Sequence, residues 1–233
     1  MPELKTTQIP SRNQENPNSV KIQYGNSGPP IYVDKPLEQI EGGEEYFFTN
    51  EEYRKILENL VIVCSDVIII GPDGSYYLAP RIAKPLKGWW FIGGRVAPFK
   101  KIETDEGAKM IPITRNESMA NTFSRETKLN ISPERFEFIK MNDYILSERQ
   151  QEPQNISCQS LCFTYALKLT QEELDLISLD EKEYGGTKLQ KFTIQEMKDT
   201  GVHQAIIDIA EKKDNTYRYF AEEDSGLAKN ICN

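Results

Sequence analysis

Residues 61–70, VIVCSDVIII, constrain the fold more than any other stretch of the chain. The run is apolar and rich in β-branched residues, and it is too short to cross a bilayer. Such a run reads as a central strand covered on both faces. One charge, Asp66, interrupts it. GPDGS follows as a turn and YYLAPR as a second strand, so 61–81 predicts a hairpin. GWWFIGG at 88–94 predicts a third short strand that ends in a glycine turn, with one of Trp89 and Trp90 facing the core.

Helices are marked by their starts. Thr49 with Glu52, and Thr114 with Glu117, have the spacing of capping boxes, in which a hydroxyl and a carboxylate each satisfy an orphan backbone N–H. Tyr53, Ile56, Leu57 and Leu60 make an apolar stripe behind the first box. Met119, Ala120 and Phe123 make the inner face of the second helix, expected over 115–129 with Asn130 as a left-handed C-cap. RFEFIKMNDYIL and CQSLCFTYALKL predict two further strands joined by a polar loop at 147–157. A short helix, a strand and terminal helices follow. Residues 97–115 are polar and read as irregular. The order predicts one α/β domain, a mixed β-sheet sandwiched between helices.

Three segments follow from composition: an N-terminal arm at 1–42, the domain at 43–213 with its insertion at 97–115, and a polar tail at 214–233. Five of the chain's thirteen prolines fall in its first thirty residues, among Asn, Gln and Ser. The arm is poor in groups that could offset its ordering entropy. It reads as a tail, or as an arm anchored by PPIYV on the domain or on a partner, which a second copy of the chain would be in a homodimer.

A net charge of −8 argues against nucleic acid and anionic membranes as partners. No leader or bilayer-length apolar run is visible, and the four cysteines lack zinc spacing. The expectation is a cytoplasmic protein with reduced thiols, Cys158 and Cys162 being the one spacing that allows a redox pair. Against this acidic background, Gly74 to Ile102 holds no Asp or Glu but carries Arg81, Lys84, Lys87, Arg95, Lys100 and Lys101. The lysines read as a solvated face. Arg81 and Arg95 each lie where a strand meets a turn, and guanidinium forks beside a glycine turn suit phosphate oxygens.

SDVIII, GSYYLAPR and KGWWFIGGRV, taken together, resemble the Nudix superfamily, and within it the GDP-mannose mannosyl hydrolase branch. The resemblance spans roughly 43–213, is specific at 61–96, and lacks the proline usual before the paired glycines. It implies a Nudix-like sheet between helices and a small nucleotide-type ligand, a nucleoside diphosphate or nucleotide sugar. Asp66 matches a ligand-contacting position and is the candidate catalytic base. Arg81, Gly93, Gly94 and Arg95 match the side that faces the diphosphate. The family's box, G-x5-E-x7-R-E-U-x-E-E-x-G-U with U a bulky aliphatic, carries glutamates that hold magnesium. Here the box is degenerate. From Gly94 the first glutamate falls on Lys100. With LNI aligned on the box's x-G-U, Phe123 replaces the arginine, and Ser124, Thr127 and Lys128 replace the three glutamates. Lys128 is then a cation where the metal would sit, so no cofactor is expected and ordinary hydrolysis is lost or altered. The alternative is an active hydrolase whose Mg2+ site is rebuilt from Glu103, Asp105, Glu106 and Glu117. The late loop, EYGGTKLQKF, has glycines where the branch has a glutamine and a histidine. His203, the chain's one histidine, reads as a helix-start residue.

Overall fold

The structure, a computed structural model, describes residues 20–22, 31–33, 40, 42, 48–105 and 107–211. Most of the N-terminal arm, Glu106 and the tail beyond 211 lie outside the described residues. Within the arm, β1 (Val20–Ile22) and β2 (Ile31–Val33) pair antiparallel.

The apolar run becomes β3 (Ile62–Ile70), the middle of a seven-stranded mixed sheet. It pairs in parallel with β10 (Cys158–Lys168) along its whole length. β10 in turn pairs antiparallel with the edge strand β9 (Glu137–Leu146). On its other side β3 meets β4 (Tyr76–Arg81), but only through Ile69 and Ile70. The two strands then part. β4 goes on to pair with β5 (Gly88–Trp90) and β11 (Gln190–Phe192), while Cys64 to Val67 of β3 pair with β6 (Ile92–Arg95). The predicted hairpin is therefore closed at its turn and open at its far end, and that opening positions the site.

Both faces of the sheet are covered, as the sequence predicts. Val67, Ile69 and Ile92 face α2 (Arg115–Thr127), whose Met119 and Phe123 are fully buried. Two short helices, α3 (Gln171–Leu176) and α4 (Glu181–Tyr184), extend that layer, and Tyr184 lies inside it. Ile68, Leu78 and Cys162 face the other way, toward α5 (Ile194–Asp199) and α6 (Gln204–Ala210), where Met197 and Ile206 are buried. α1 (Asn50–Asn59) starts and α2 starts at the two predicted capping boxes, with both reciprocal bonds formed. His203 caps α6, its Nδ1 accepting from the Ala205 N–H at 3.2 Å. Trp90 is the buried tryptophan, and Trp89 packs edge-on to Phe192.

Two expectations fail. The insertion is not irregular: β7 (Phe99–Thr104) and β8 (Gly107–Pro112) form a two-stranded ribbon, and the Gly42 N–H donates to Met110 O of β8. The ribbon's outward charges pair off, Lys101 with Glu103 and Lys100 with Glu117. The second is the end of α2. The left-handed residue is Lys128 (φ 61°), not Asn130. The last carbonyls of α2 are taken by the chain before α4, where the Ser178 N–H donates to Thr127 O and the Asp180 N–H to Glu126 O. That docking stops the helix a half-turn earlier than its composition predicts. No helix among the described residues is long and apolar enough to cross a membrane.

Candidate functional site

The tandem glycines of β6 face opposite ways. Gly93 lies opposite Asp66 and Gly94 opposite Ser65 in the pairing with β3. Gly93 leaves room for Asp66: a methyl group there would stand 2.2 Å from its Oδ1. Gly94 lets α2 pack close: a methyl there would lie in ordinary contact with Arg125 Nη2 and Thr122 Cγ2 at 3.7 Å and Glu126 Oε1 at 3.9 Å.

Above Gly94, Arg125 and Glu126 form a pair at 3.0 Å. Their exposures differ sharply, 69% for the arginine side chain and 7% for the glutamate. Glu126 is held from behind by the Tyr184 hydroxyl, which donates to its Oε2 at 2.5 Å. Burial raises the Glu126 carboxyl above the usual range, against the pull of Tyr184 and Arg125. The Tyr184 hydroxyl is raised too, by burial and by Glu126.

Tyr184 is positioned from both sides. Asp180 caps α4 through the Lys182 and Glu183 N–H groups, and its own N–H is tied to α2. At the other end the Ile82 N–H donates to Glu183 O at 3.0 Å, and Arg81 pairs with the Glu183 carboxylate at 3.5 Å. Arg81 also donates to the carbonyls of Ala83 and Lys84, fixing the loop after β4. α4 is thus clamped between the end of α2 and the end of β4, across the opening where β3 and β4 part.

Asp66 borders the same opening. Burial raises its carboxyl to about 6, opposed by Cys162, Arg81 and Trp90 and reinforced by Glu126. Asp66 therefore responds to a group on each wall of the opening. Cys64, on the same face, is pushed up to about 12, chiefly by burial. It is a small hydrophobe rather than a reactive thiol. Cys158 and Cys162 are free as well.

Arg81 and Arg95, paired in the sequence analysis, end on different sides. Alternation along β6 sends Arg95 to the face of Cys64 and Asp66, where its guanidinium stacks on Tyr53 of α1 at 4.5 Å. Arg81 turns toward α4. Lys128, expected on the inner face of α2, is the exposed C-cap, and its Nζ donates to Arg125 O at 2.7 Å. Three residues of this site went unassigned in the sequence analysis: Arg125, Glu126 and Tyr184. The adjacent Arg-Glu pair at the helix end was the available signal, obscured by the misplaced cap.

The residues present do not fit the magnesium that the family resemblance implies. That ion takes oxygen ligands in near-octahedral array, commonly from more than one group. Among the described residues no three His, Cys, Asp or Glu side chains stand together as a ligand set. Glu103 lies near the tip of the β7–β8 hairpin opposite Ala108, and Asp105 lies in its turn. Glu117 is spent on the Thr114 capping box. The two six-residue strands hold the hairpin's acidic tip away from Glu117, so the rebuilt site expected from Glu103, Asp105 and Glu117 is not assembled among the described residues. Glu106 is outside the described residues.

No protein-family model and no curated protein matches the chain. Among solved structures it is similar to a MutT protein from Methanosarcina mazei Go1, at 15% identity and TM-score 0.44, covering 70% of this chain and 95% of that one. It is similar too to a C. elegans Ap4A hydrolase, at 9% identity and TM-score 0.40, covering 66% and 96%. A MutT NUDIX hydrolase from Burkholderia pseudomallei stands at 16% and 0.40, covering 59% and 87%. Likenesses this slight carry no argument about this chain.

Proposed function

We propose that this chain is a Nudix-type protein that binds a nucleoside diphosphate derivative, a nucleotide sugar in particular, between Gly93 and Gly94, which are strand residues of β6 rather than the expected turn, the end of α2, and α4. The family's ordinary magnesium-dependent hydrolysis is lost. The observation that carries the reading is the Arg125–Glu126 pair packed beside Gly94, its glutamate buried and its guanidinium exposed.

The left-handed C-cap supports this reading by resetting the box. A helix-ending left-handed residue is where glycine is favoured. The box's x-G pair is then Thr127-Lys128 rather than Leu129-Asn130. Its two bulky positions become Phe123 and Leu129, which lie in or against the core. The last glutamate becomes Glu126, the one carboxylate that the mannosyl hydrolase branch keeps for metal. Its neighbour becomes Arg125, and the first glutamate and the arginine become Thr122 and Asn121. One carboxylate of three survives, and both of its oxygens are engaged.

Each group has a part in binding. Gly94 lets the end of α2 pack close to β6, which sets Arg125 at the rim of the cleft. Arg125 reaches that phosphate with a fork that suits its oxygens. Arg81 adds positive charge at the opposite wall and holds the loop that shapes it. Asp66 lies on the sheet's other face with Gly93, and supports the cleft from behind rather than touching the phosphate.

Thermal melting against a panel of nucleoside diphosphates and nucleotide sugars tests this, because a ligand that binds only the folded state raises its melting temperature. At about a hundred times Kd the stabilisation is about 2.7 kcal/mol. A panel in which no member shifts the transition rejects the reading. So does a shift that survives unchanged when Arg81 and Arg125 are both replaced by Ala.

A further inference from the structure

We propose that Arg125 takes the place of the divalent cation, so that this site holds a diphosphate through a guanidinium and without metal. The proposal rests on the functional reading above and adds to it a cation and an independence from magnesium.

Position comes first. The Arg125 guanidinium stands beside Gly94, with Nη2 3.7 Å from where a methyl on that glycine would be. No side chain of β6 comes between them. A phosphate arriving at the rim between the end of α2 and β6 meets the exposed Arg125 fork before Lys128, which is turned back onto its own helix.

Orientation comes second. A long exposed arginine loses rotamer freedom when it is fixed on a ligand. Here Glu126 has already done much of the fixing, at 3.0 Å. Glu126 is itself buried and tied to Tyr184. A guanidinium carries five N–H donors. Among the described residues the partner recorded for this one is Glu126, through Nη2. With 69% of the side chain exposed, the remaining donors face outward, where an anion would arrive.

Charge comes third. A buried carboxylate needs a cation beside it to stay ionised. In a magnesium site the metal does this for glutamate. Here Arg125 does it for Glu126, so the surviving glutamate has its counterion without metal. A divalent ion entering at Glu126 would compete with the Tyr184 hydroxyl and the guanidinium, one on each oxygen, and would lie against a permanent positive charge. The one carboxylate that could start a magnesium site is therefore committed to holding the arginine that replaces it.

The test is titration calorimetry of the full chain with inorganic pyrophosphate, ADP, GDP and UDP, each in EDTA and in millimolar magnesium. The expected result is binding of at least one of them in EDTA, with an affinity that magnesium changes by less than about twofold. Arg125→Ala should weaken that binding by about tenfold or more, the scale of a lost hydrogen bond to a charged group. Lys128→Ala should leave it unchanged, which separates Arg125 from general positive charge. Arg125→Ala takes the partner from the buried Glu126, so a melting curve of each variant establishes that it is folded, and Arg125→Lys, which keeps the charge but not the fork, serves as a second variant expected to bind more weakly than the parent. Binding that requires magnesium, or an Arg125→Ala variant that binds like the parent, overturns the proposal and leaves the functional reading standing. Absence of binding by every diphosphate in both buffers removes the functional reading, and this proposal with it.

Discussion

Replacing Asp66 by Asn should make the protein more stable than its parent at neutral and alkaline pH, and the advantage should fade in acid. Asp66 lies in the central strand, 8% exposed, and its carboxyl is raised from 3.8 to about 6 by burial. A carboxyl whose folded value lies above its unfolded value favours the folded state only while it is protonated. That stability is fully present below about 3.8. It falls as pH rises toward 6 and is gone above it. At about 1.4 kcal/mol per pH unit, the interval from 3.8 to about 6 is worth about 3 kcal/mol. Asparagine has nearly the same shape, keeps an acceptor for Cys162 and Trp90, and never ionises. Any fixed cost of the exchange is independent of pH, so the difference between the two proteins isolates the carboxyl. Urea unfolding at intervals from pH 4 to pH 8 measures it. The variant should gain about 3 kcal/mol relative to the parent across that range. A gap that stays constant within about 0.5 kcal/mol would refute the claim that Asp66 is buried among groups that fail to compensate its charge.

Other expectations follow from the packing around the site. Phe123 is fully buried and meets the edge of Phe136 at 5.8 Å, so Phe123→Ala should cost about 3–5 kcal/mol in urea unfolding. A loss below about 1 kcal/mol would mean that α2 faces the wrong way. Tyr184→Phe removes the hydroxyl that donates to Glu126 and should cost about 1.5–3 kcal/mol, with most of the loss above the Glu126 pKa, where the carboxylate is charged. An equal loss at pH 4 and pH 8 would contradict that origin. Arg95→Ala should leave diphosphate affinity within about twofold, because its guanidinium is stacked on Tyr53 away from α4. A calorimetric loss of about tenfold would return Arg95 to the ligand site.

What was legible in the sequence was local. The two capping boxes needed a hydroxyl and a carboxylate three residues apart. The core strand needed an unbroken apolar run, and the inner face of α2 a helical stripe. Each signal lies within one element, and each element formed where expected. The end of α2 was not legible, because its last carbonyls are taken by Ser178 and Asp180, some fifty residues on. That docking made Lys128 the left-handed residue, although Asn130 was the better local candidate. The β7–β8 ribbon was missed because its apolar residues, Phe99 and Ile102, break the two-residue period of a half-buried strand. The two arginines were paired on the ground that each ends a strand. Strand alternation and the parting of β3 from β4 decide which way each points, and neither can be read at the arginines themselves.

The paired glycines connect the two halves of the site, and they do so for different reasons that one experiment can separate. Gly93 lies on the face of Asp66 and Gly94 on the face of α2. An alanine at 93 would drive its methyl to 2.2 Å from the Asp66 carboxylate and 2.4 Å from the Ser65 carbonyl. Neither neighbour is a free chain end: one is held in the middle strand and the other is its backbone. Overpacking of this kind costs about 1–3 kcal/mol and at times more. Gly93→Ala should therefore lower the unfolding midpoint in urea by at least that much. An alanine at 94 meets nothing nearer than 3.7 Å, which is ordinary contact. Its stability should stay within about 0.5 kcal/mol of the parent. The new methyl would still touch the Arg125 guanidinium and crowd the rim where the phosphate is proposed to meet it. Gly94→Ala should thus keep the fold and lose diphosphate affinity by about tenfold or more. If instead Gly94→Ala unfolds the protein while binding per folded molecule is kept, the glycine serves only packing, and the anion site does not lie against β6.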